Sequence, residues 1–158
     1  MKYQNVEIHN VSEIFDGEKT SGIGMCRYPL DILDSLNKNA KGMSKMASAC
    51  EIRAMLKEGG EAKVVLQAID DNVVPPIVSV WFGEFCHETI LLENEPTEII
   101  IKQPVRIKIM EDIAKKDKHN FDPRLVRIRL PQIHTVNILS IEGDLSYPKE
   151  NSTPRKTM

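Results

Sequence analysis

Apolar and polar side chains alternate along three consecutive stretches of the chain, at 49–56, 62–69 and 77–82. A period of two is typical of β-strands that bury one face, as in an antiparallel sheet. Gly59-Gly60 is a strong turn signal between the first two stretches. Pro75-Pro76 precedes the third stretch and disfavours a helix there. This region therefore predicts three β-strands joined by turns.

The alternation also assigns side chains to faces. On the first strand, Cys50, Ile52 and Ala54 share one face, and Glu51 and Arg53 share the other. We expect the first face to be dry and the second to be wetter. The thiol of Cys50 is then a small core group, because unpaired cysteines are commonly buried.

The rest of the chain also predicts mostly β-strands, with few signals for a helix. Pro29 can occupy the first position of a helix at 30–36, where leucines recur at helical spacing. The stretch 105–110 alternates like a strand, whereas 110–116 has better helix formers, and both readings stay open. Strands are predicted with most support at 51–55, 63–69, 77–82, 99–102 and 126–130.

Eight or nine short strands with frequent turns are typical of an all-β protein. We predict an antiparallel β-sandwich, jelly-roll-like, with one or two short helices. The sandwich should span residues 1–145. Residues 146–158 contain two prolines and almost no apolar side chain, which is the composition of a linker or tail.

Composition and charge argue against several classes of protein. A formal net charge of -2 gives no reason to expect a nucleic-acid partner. The three cysteines are widely spaced and odd in number, which fits neither a disulfide framework nor a zinc pattern. Neither an apolar run after the first residues nor a stretch of about 18 apolar residues is present. We therefore expect a cytoplasmic protein with no membrane partner.

The densest set of possible ligands is Glu84, Cys86, His87 and Glu88. On a regular strand Glu84, Cys86 and Glu88 would share one face, with His87 on the other. A metal site needs ligands that converge on one point, so these residues favour a structural or surface role. We predict no metal and no cofactor, and keep Glu84 and His87 as candidate interface residues.

Three further side chains are candidates for binding. Trp81, flanked by Val80 and Phe82, reads first as a core residue, with an aromatic platform for a sugar as the alternative. Arg127 and Arg129 alternate with apolar neighbours, so both should face outward. We expect Arg127 to make a fixed contact, either to a carboxylate on a neighbouring strand or to a further domain.

Catalytic motifs do not emerge from the sequence. The chain has no Gly-x-Ser-x-Gly elbow, and Gly143-Asp144 is followed by Leu145 where a nucleophilic serine would be needed. The glycine pairs do not join a strand to a helix in a phosphate-binding arrangement. Neither a catalytic residue nor an enzymatic activity of this chain is predicted.

Several sequence blocks nevertheless resemble a known family. They are RYP at 27–29, SKMASACEIR at 44–53, FGEFCH at 82–87, FDPRLVRI at 121–128, and IEGD at 141–144 before the proline-containing tail. Together they resemble the N-terminal β-sandwich domain that precedes the catalytic domain in a group of bacterial SGNH (GDSL-type) hydrolases. The resemblance runs from about residue 27 to residue 154.

The resemblance implies a non-catalytic domain that packs beside an esterase domain and borders its substrate groove, with acylated carbohydrate as one possible substrate class. The family's catalytic domain opens with a Gly-Asp-Ser block and ends with an Asp-x-x-His pair. Neither has a position in this sequence, so the catalytic domain is expected as a missing partner. A stand-alone carbohydrate-binding module is the alternative.

Overall fold

The structure is a computed structural model that describes residues 1–71 and 73–149. Within these residues the chain forms twelve strands and three helices. In the first half of the chain they are β1 (Lys2–Tyr3), β2 (Val6–His9), β3 (Glu13–Asp16), β4 (Ile23–Cys26), α1 (Leu30–Ser35), α2 (Lys38–Ser44), β5 (Glu51–Leu56) and β6 (Glu61–Ala68). In the second half they are β7 (Ile77–Phe82), β8 (Phe85–Leu91), β9 (Thr97–Lys102), α3 (Ile107–Lys116), β10 (Leu125–Arg129), β11 (Val136–Gly143) and β12 (Leu145–Ser146).

The strands form two antiparallel sheets, as predicted for an all-β sandwich. Sheet A has the order β1-β2-β5-β10-β7-β8, and β12 pairs with β5 beside that path. Sheet B has the order β3-β4-β11-β6-β9. Consecutive strands often lie in different sheets, as β5 and β6 do, so the sandwich closes through crossovers rather than through hairpins alone.

The core lies between the two sheets and is built from the apolar positions of the alternating pattern. Ile52, Val80, Phe82 and Ile128 enter it from sheet A, and Leu66 enters it from sheet B. Each of these side chains is almost fully buried. Apolar burial of this kind is the dominant favourable term in folding, so the two-residue period explains both the strands and the pairing of their faces.

One helix was predicted from the sequence, a second follows it directly, and a third resolves an open choice. The predicted helix at 30–36 is α1, and its neighbour α2 begins at the N-cap Asn37, whose side chain accepts a hydrogen bond from the Ala40 amide. The ambiguous stretch at 105–116 is the helix α3. None of the helices in the described residues is long and apolar enough to cross a membrane.

The end of the sandwich lies slightly beyond the predicted boundary. Ser146, placed by the sequence in the linker, belongs to β12 and pairs with Met55 of β5. The ring of Tyr147 lies below the ammonium of Lys2 at 5.4 Å. The rest of the predicted tail from residue 150 onward lies outside the described residues.

Candidate functional site on the outer face of sheet A

Four charged side chains lie together on the outer face of sheet A because of the register between β5 and β10. In this register Arg127 stands opposite Arg53, and Arg129 stands opposite Glu51. The residues next to them along both strands point into the core. Successive side chains on a strand point to opposite faces, so these four charged side chains lie on the outer face. Directly opposite residues on an antiparallel pair have Cβ atoms about 4.5–5.5 Å apart. The four side chains are therefore close enough to form one cluster.

Glu51 is the centre of this cluster. Its Oε1 accepts a hydrogen bond from Arg127 Nη2 at 2.6 Å, and its Oε2 accepts from Arg127 Nε at 3.0 Å and from Arg53 Nε at 2.7 Å. The pair with Arg127 is thus bidentate, which is the strong geometry for a guanidinium and a carboxylate. The predicted fixed contact of Arg127 to a carboxylate on a neighbouring strand is confirmed.

Phe121, from the loop after α3, covers the cluster. The guanidinium carbon of Arg127 lies 3.8 Å from the centroid of the Phe121 ring, and that of Arg53 lies 5.4 Å from it. Glu51 and Arg53 are each only 7% exposed. The wetter face predicted for β5 is therefore wrong at its centre, because a stacked aromatic ring and neighbouring arginines exclude water there.

The arginines decide the charge state of Glu51. Burial alone would raise the pKa of this carboxyl group, because it disfavours the charged form. The hydrogen bonds from Arg127 and Arg53, together with their positive charges, outweigh burial and hold the pKa of Glu51 below its ordinary value. Glu51 is therefore an anion at neutral pH, locked between guanidinium groups.

Exposed Arg129 and half-buried Trp81 form the margin of the cluster. Arg129 has a side chain that is 48% exposed, and its Nε lies 3.6 Å from Glu51 Oε1. Its guanidinium lies 5.4 Å from the Trp81 ring, and the indole Nε1 of Trp81 donates to Ser79 Oγ at 2.8 Å. The first reading of Trp81 as a core residue is wrong, because Val80 and Phe82 take the core side and the alternation turns Trp81 outward.

Glu84 and His87 have different surroundings. Glu84 belongs to the turn before β8, and its Oε1 accepts a hydrogen bond from the Asn120 amide at 2.6 Å. On β8 the register skips His87, which is the extra residue of a β-bulge, and its ring packs edge-on against Phe82 at 5.3 Å. The predicted sharing of faces along 84–88 is therefore wrong. In the described residues, no three His, Cys, Asp or Glu side chains are grouped for a metal ion.

A second polar site, at His134 and Asp70, was not predicted from the sequence. His134 is 1% exposed, and its Nδ1 and Nε2 lie 2.7 Å from Asp70 Oδ1 and 2.6 Å from the Val74 carbonyl oxygen. Asp70 Oδ2 also accepts from the Thr135 amide at 2.7 Å. Asp70 follows β6 and His134 precedes β11, so the pairing of those two strands brings them together. The only sequence signal was a polar residue at each strand end.

Comparison with known proteins gives a fold and no family. No family model matches the chain, and no curated protein matches it. Among solved structures, the fold is similar to that of the "Salicylyl-Acyltransferase SsfX3 from a Tetracycline Biosynthetic Pathway", with a TM-score of 0.65 and 12% sequence identity. The match covers 93% of this chain and 40% of that one, so this chain spans less than half the length of the acyltransferase.

Proposed function

We propose that this chain is a non-catalytic β-sandwich domain that packs beside the catalytic domain of an SGNH-type enzyme acting on ester bonds and borders its substrate groove. The observation that carries the proposal is that the structural match covers 93% of this chain but only 40% of the acyltransferase. Nearly the whole sandwich matches an acyltransferase whose chain is more than twice as long as the matched part. The sequence blocks that resemble an SGNH N-terminal domain independently support the same arrangement.

The geometry of the buried histidine also supports a non-catalytic role. A serine hydrolase needs a histidine that is oriented by a carboxylate on one ring nitrogen and faces the nucleophile with the other. His134 has the carboxylate, Asp70, but its second nitrogen faces the backbone carbonyl of Val74. This pair joins two loops and does not present a base to a hydroxyl group.

The exposed part of the outer face is the proposed contact with the catalytic domain. Each of the three nitrogens of Arg127 donates a hydrogen bond, Nε and Nη2 to Glu51 and Nη1 to the Gly83 carbonyl at 3.0 Å. Trp81 and Arg129 remain available, and tryptophan and arginine are enriched at the centres of interfaces. Of the five candidate residues, Trp81 and Arg129 therefore fit a docking role best.

The reading frame that follows the Met158 codon tests the covalent arrangement. The proposal expects a Gly-Asp-Ser block soon after this codon and an Asp-x-x-His pair near the end of the frame. A stop codon at this point, with no SGNH enzyme encoded beside it, would contradict the proposal.

Kinetics of the polypeptide that joins the sandwich to this catalytic domain then test whether the sandwich borders the substrate groove. Deletion of residues 1–145 should raise the KM for a bulky acyl ester and leave the kcat for a small aryl acetate nearly unchanged. Equal KM values for the bulky ester with and without the sandwich would remove the role at the groove. The isolated sandwich itself should hydrolyse an aryl acetate no faster than buffer, since residues 1–71 and 73–149 present no serine paired with a histidine base.

A stand-alone carbohydrate-binding module is the second candidate, because Trp81 lies on a sheet face outside the core. It ranks second since the guanidinium of Arg129 lies over the ring that a sugar would use. Saturable quenching of Trp81 fluorescence by a soluble polysaccharide, with binding by calorimetry lost in Trp81→Phe, would favour the module.

Cytoplasmic location is part of the main proposal, and the three unpaired cysteines support it.

A further inference from the structure

The buried ring of His134 faces an oxygen atom at each of its two nitrogens. Nδ1 lies 2.7 Å from Asp70 Oδ1, and Nε2 lies 2.6 Å from the Val74 carbonyl oxygen. A carbonyl oxygen and an ionised carboxylate can only accept hydrogen bonds, and a neutral imidazole carries only one N–H. The two contacts therefore need one proton more than a neutral histidine and an ionised aspartate carry together.

This additional proton can lie on either partner. If Asp70 is ionised, His134 is an imidazolium that donates at both nitrogens. If Asp70 is protonated, its hydroxyl donates to Nδ1, and the N–H at Nε2 donates to Val74. The Thr135 amide donates to Asp70 Oδ2 at 2.7 Å in both cases. Both arrangements hold the same number of protons, and both keep a proton on Nε2.

Removal of one proton breaks one of the two contacts, and they differ in strength. A hydrogen bond to an ionised carboxylate is roughly twice as strong as a bond between neutral groups. The remaining N–H therefore stays on Nδ1 toward Asp70. The lone pair of Nε2 then faces the Val74 carbonyl oxygen at 2.6 Å, where the two lone pairs repel each other. The contact with Val74 is therefore the one that is lost.

The two sides of this contact are not equally anchored. The His134 side is fixed by its backbone, because the His134 carbonyl accepts a hydrogen bond from the Ala47 amide at 2.7 Å. On the other side, Val73 and Val74 are both exposed. Among the described residues, neither valine makes a hydrogen bond other than the one to His134. The valines are therefore the side that moves when the contact breaks.

A cavity of about 480 Å³ lies beside this contact. His134 lines it together with Asp70 and with apolar side chains that include Val73, Pro75 and Leu91. Movement of the valines would change the shape of this cavity and the apolar surface around it.

Other charged groups surround the pair without a hydrogen bond or ion pair to the ring. They are Asp71 and Glu93 on the His134 side, and Glu18, Lys19, Lys41 and Lys45 on the Asp70 side. Asp71 Oδ1 accepts a hydrogen bond from the Asn94 side chain at 2.8 Å, and Glu18 pairs with Lys45. In the part of the chain that the structure describes, the ring nitrogens bond only to Asp70 and Val74.

We propose that His134 and Asp70 form a pH-sensitive latch, which holds the Val74 carbonyl when the pair carries the additional proton and releases it when that proton is lost. The closed latch binds one proton more than the open latch. The stability that the Val74 contact supplies is therefore present at low pH and lost as the pH rises. Because Val73 lines the cavity, the latch couples pH to the shape of that cavity. It belongs to the sandwich itself, whatever domain lies beside it.

Nuclear magnetic resonance follows the latch directly in the folded 158-residue chain between pH 5.5 and pH 9. The carbonyl ¹³C signal of Val74 reports its hydrogen bond, and the ring ¹⁵N signals of His134 report which nitrogen carries a proton. We expect a proton on Nε2 at pH 5.5. As the pH rises, that proton should be lost and the Val74 signal should move with the same midpoint.

Asp70→Asn tests the proton count, because an asparagine can complete the site with a neutral ring. Its Nδ2 can donate to Nδ1, its Oδ1 can accept from the Thr135 amide, and the ring keeps its N–H on Nε2 for Val74. At pH 8.5 the Val74 signal of this variant should therefore lie near the position that it has in the wild type at pH 5.5.

The same variant should reverse the pH dependence of stability. Its equilibrium constant of unfolding, divided by that of the wild type, should fall about tenfold between pH 5.5 and pH 8.5, because one charge-assisted contact changes sides. Asp71→Asn is the matched control, since it removes the same charge from an exposed neighbouring residue. Its ratio should be the same at both pH values.

Three results would overturn the latch. The first is a Val74 carbonyl signal in the wild type that stays constant from pH 5.5 to pH 9. The second is a His134 ring without a proton on Nε2 at pH 5.5. The third is an Asp70→Asn ratio that changes with pH no more than the Asp71→Asn ratio does. The first two results need no variant, so they decide the matter even if Asp70→Asn fails to fold.

Discussion

The carboxylate of Glu51 is buried, with the residue only 7% exposed. Its negative charge is paired with the guanidinium groups of Arg53 and Arg127. Its position opposite the core follows from the alternation of β5 and was predicted from the sequence. Its partners were not, because they depend on the register between β5 and β10, two strands separated by about 70 residues. A slip of that register by two residues would keep the apolar side chains in the core and yet change which arginine stands opposite Glu51. Side-chain pairing across strands is therefore the information that one sequence does not supply.

The first prediction concerns the charge of this residue. Glu51→Gln should lower the free energy of unfolding at pH 7 by about 3 kcal/mol, because it leaves buried arginines without their anion. Chemical denaturation measures this difference. Glu98→Gln is the matched control, since the Glu98 side chain is 61% exposed beside Lys63 and its loss should change stability by less than about 1 kcal/mol. Equal effects of the two substitutions would contradict the prediction.

The pH dependence of stability gives the same residue a second signature. The pKa of Glu51 in the folded chain lies below its ordinary value of 4.5, so the folded state favours the charged form. Its contribution is complete above pH 4.5 and is lost as the pH falls through the folded pKa. The stability difference between wild type and Glu51→Gln should therefore shrink below pH 4.5. A difference that stays constant down to pH 3 would show that the pKa of Glu51 is the same in the folded and the unfolded chain.

The second prediction uses the thiols. Burial raises the pKa of Cys50 to about 11, so at pH 8 only about one molecule in a thousand carries the reactive thiolate. Cys86 is exposed on β8, whereas Cys26 is buried like Cys50. Iodoacetamide at pH 8 should therefore modify Cys86 first, as peptide mass spectrometry would show. In denaturant all three cysteines should react, and alkylation of Cys50 in the native chain before Cys86 would contradict the burial.

At the scale of elements, the period of two predicted most strands and misjudged places where the backbone is irregular. The strands predicted at 51–55, 63–69, 77–82, 99–102 and 126–130 all exist, with ends shifted by no more than two residues. The bulge at His87 changes which face of β8 the neighbouring side chains occupy, and no glycine or proline within β8 indicates it in the sequence. The helix α3 could not be separated from a strand, because its first residues alternate like one. Trp81 was misplaced because its apolar neighbours outweighed the alternation.

The third prediction compares two glycines in different elements. Gly42 lies within α2, and an added Cβ would meet nothing within 4 Å. Gly42→Ala should raise the free energy of unfolding by roughly 0.5–1 kcal/mol, because alanine is the better helix former. Gly22, between β3 and β4, has φ +92°, and its Cβ would lie 2.2 Å from the Ile138 carbonyl oxygen. Gly22→Ala should therefore lower it by more than about 1 kcal/mol.

Thermal melting distinguishes the two substitutions. For a chain of this length about 1 kcal/mol corresponds to roughly 2–4 °C in Tm. A Gly42→Ala variant that melts below the wild type would show that α2 is not an ordinary helix. A Gly22→Ala variant that melts with the wild type would show that the approach of this turn to β11 is looser than the structure has it.

At the scale of the molecule, the two-sheet architecture was predicted and the polar sites that bridge its parts were not. Both sheets follow from strand periodicity and from the count of turns. The bonds between His134 and Asp70, and the stacking of Phe121 on Arg127, join segments far apart in the sequence. Such contacts form only after the strands have paired, so they depend on the assembled fold rather than on local pattern. The two polar sites are therefore consequences of topology.

One topological feature concerns β2 and β12, which lie one after the other along the same edge of β5. Because Lys2 also lies over the ring of Tyr147, the polypeptide enters and leaves the sandwich at one point. The domain should therefore tolerate circular permutation, with a short Gly-Ser bridge from residue 147 to Met1 and new ends at the exposed Gly59 turn. The Met1 amine donates to the Ile8 carbonyl at 2.8 Å, and the amide formed by the bridge keeps an N–H for that bond. The permutant should retain the parent's circular dichroism spectrum and cooperative melting, and such a sandwich can be spliced into the loop of a host protein as a cassette.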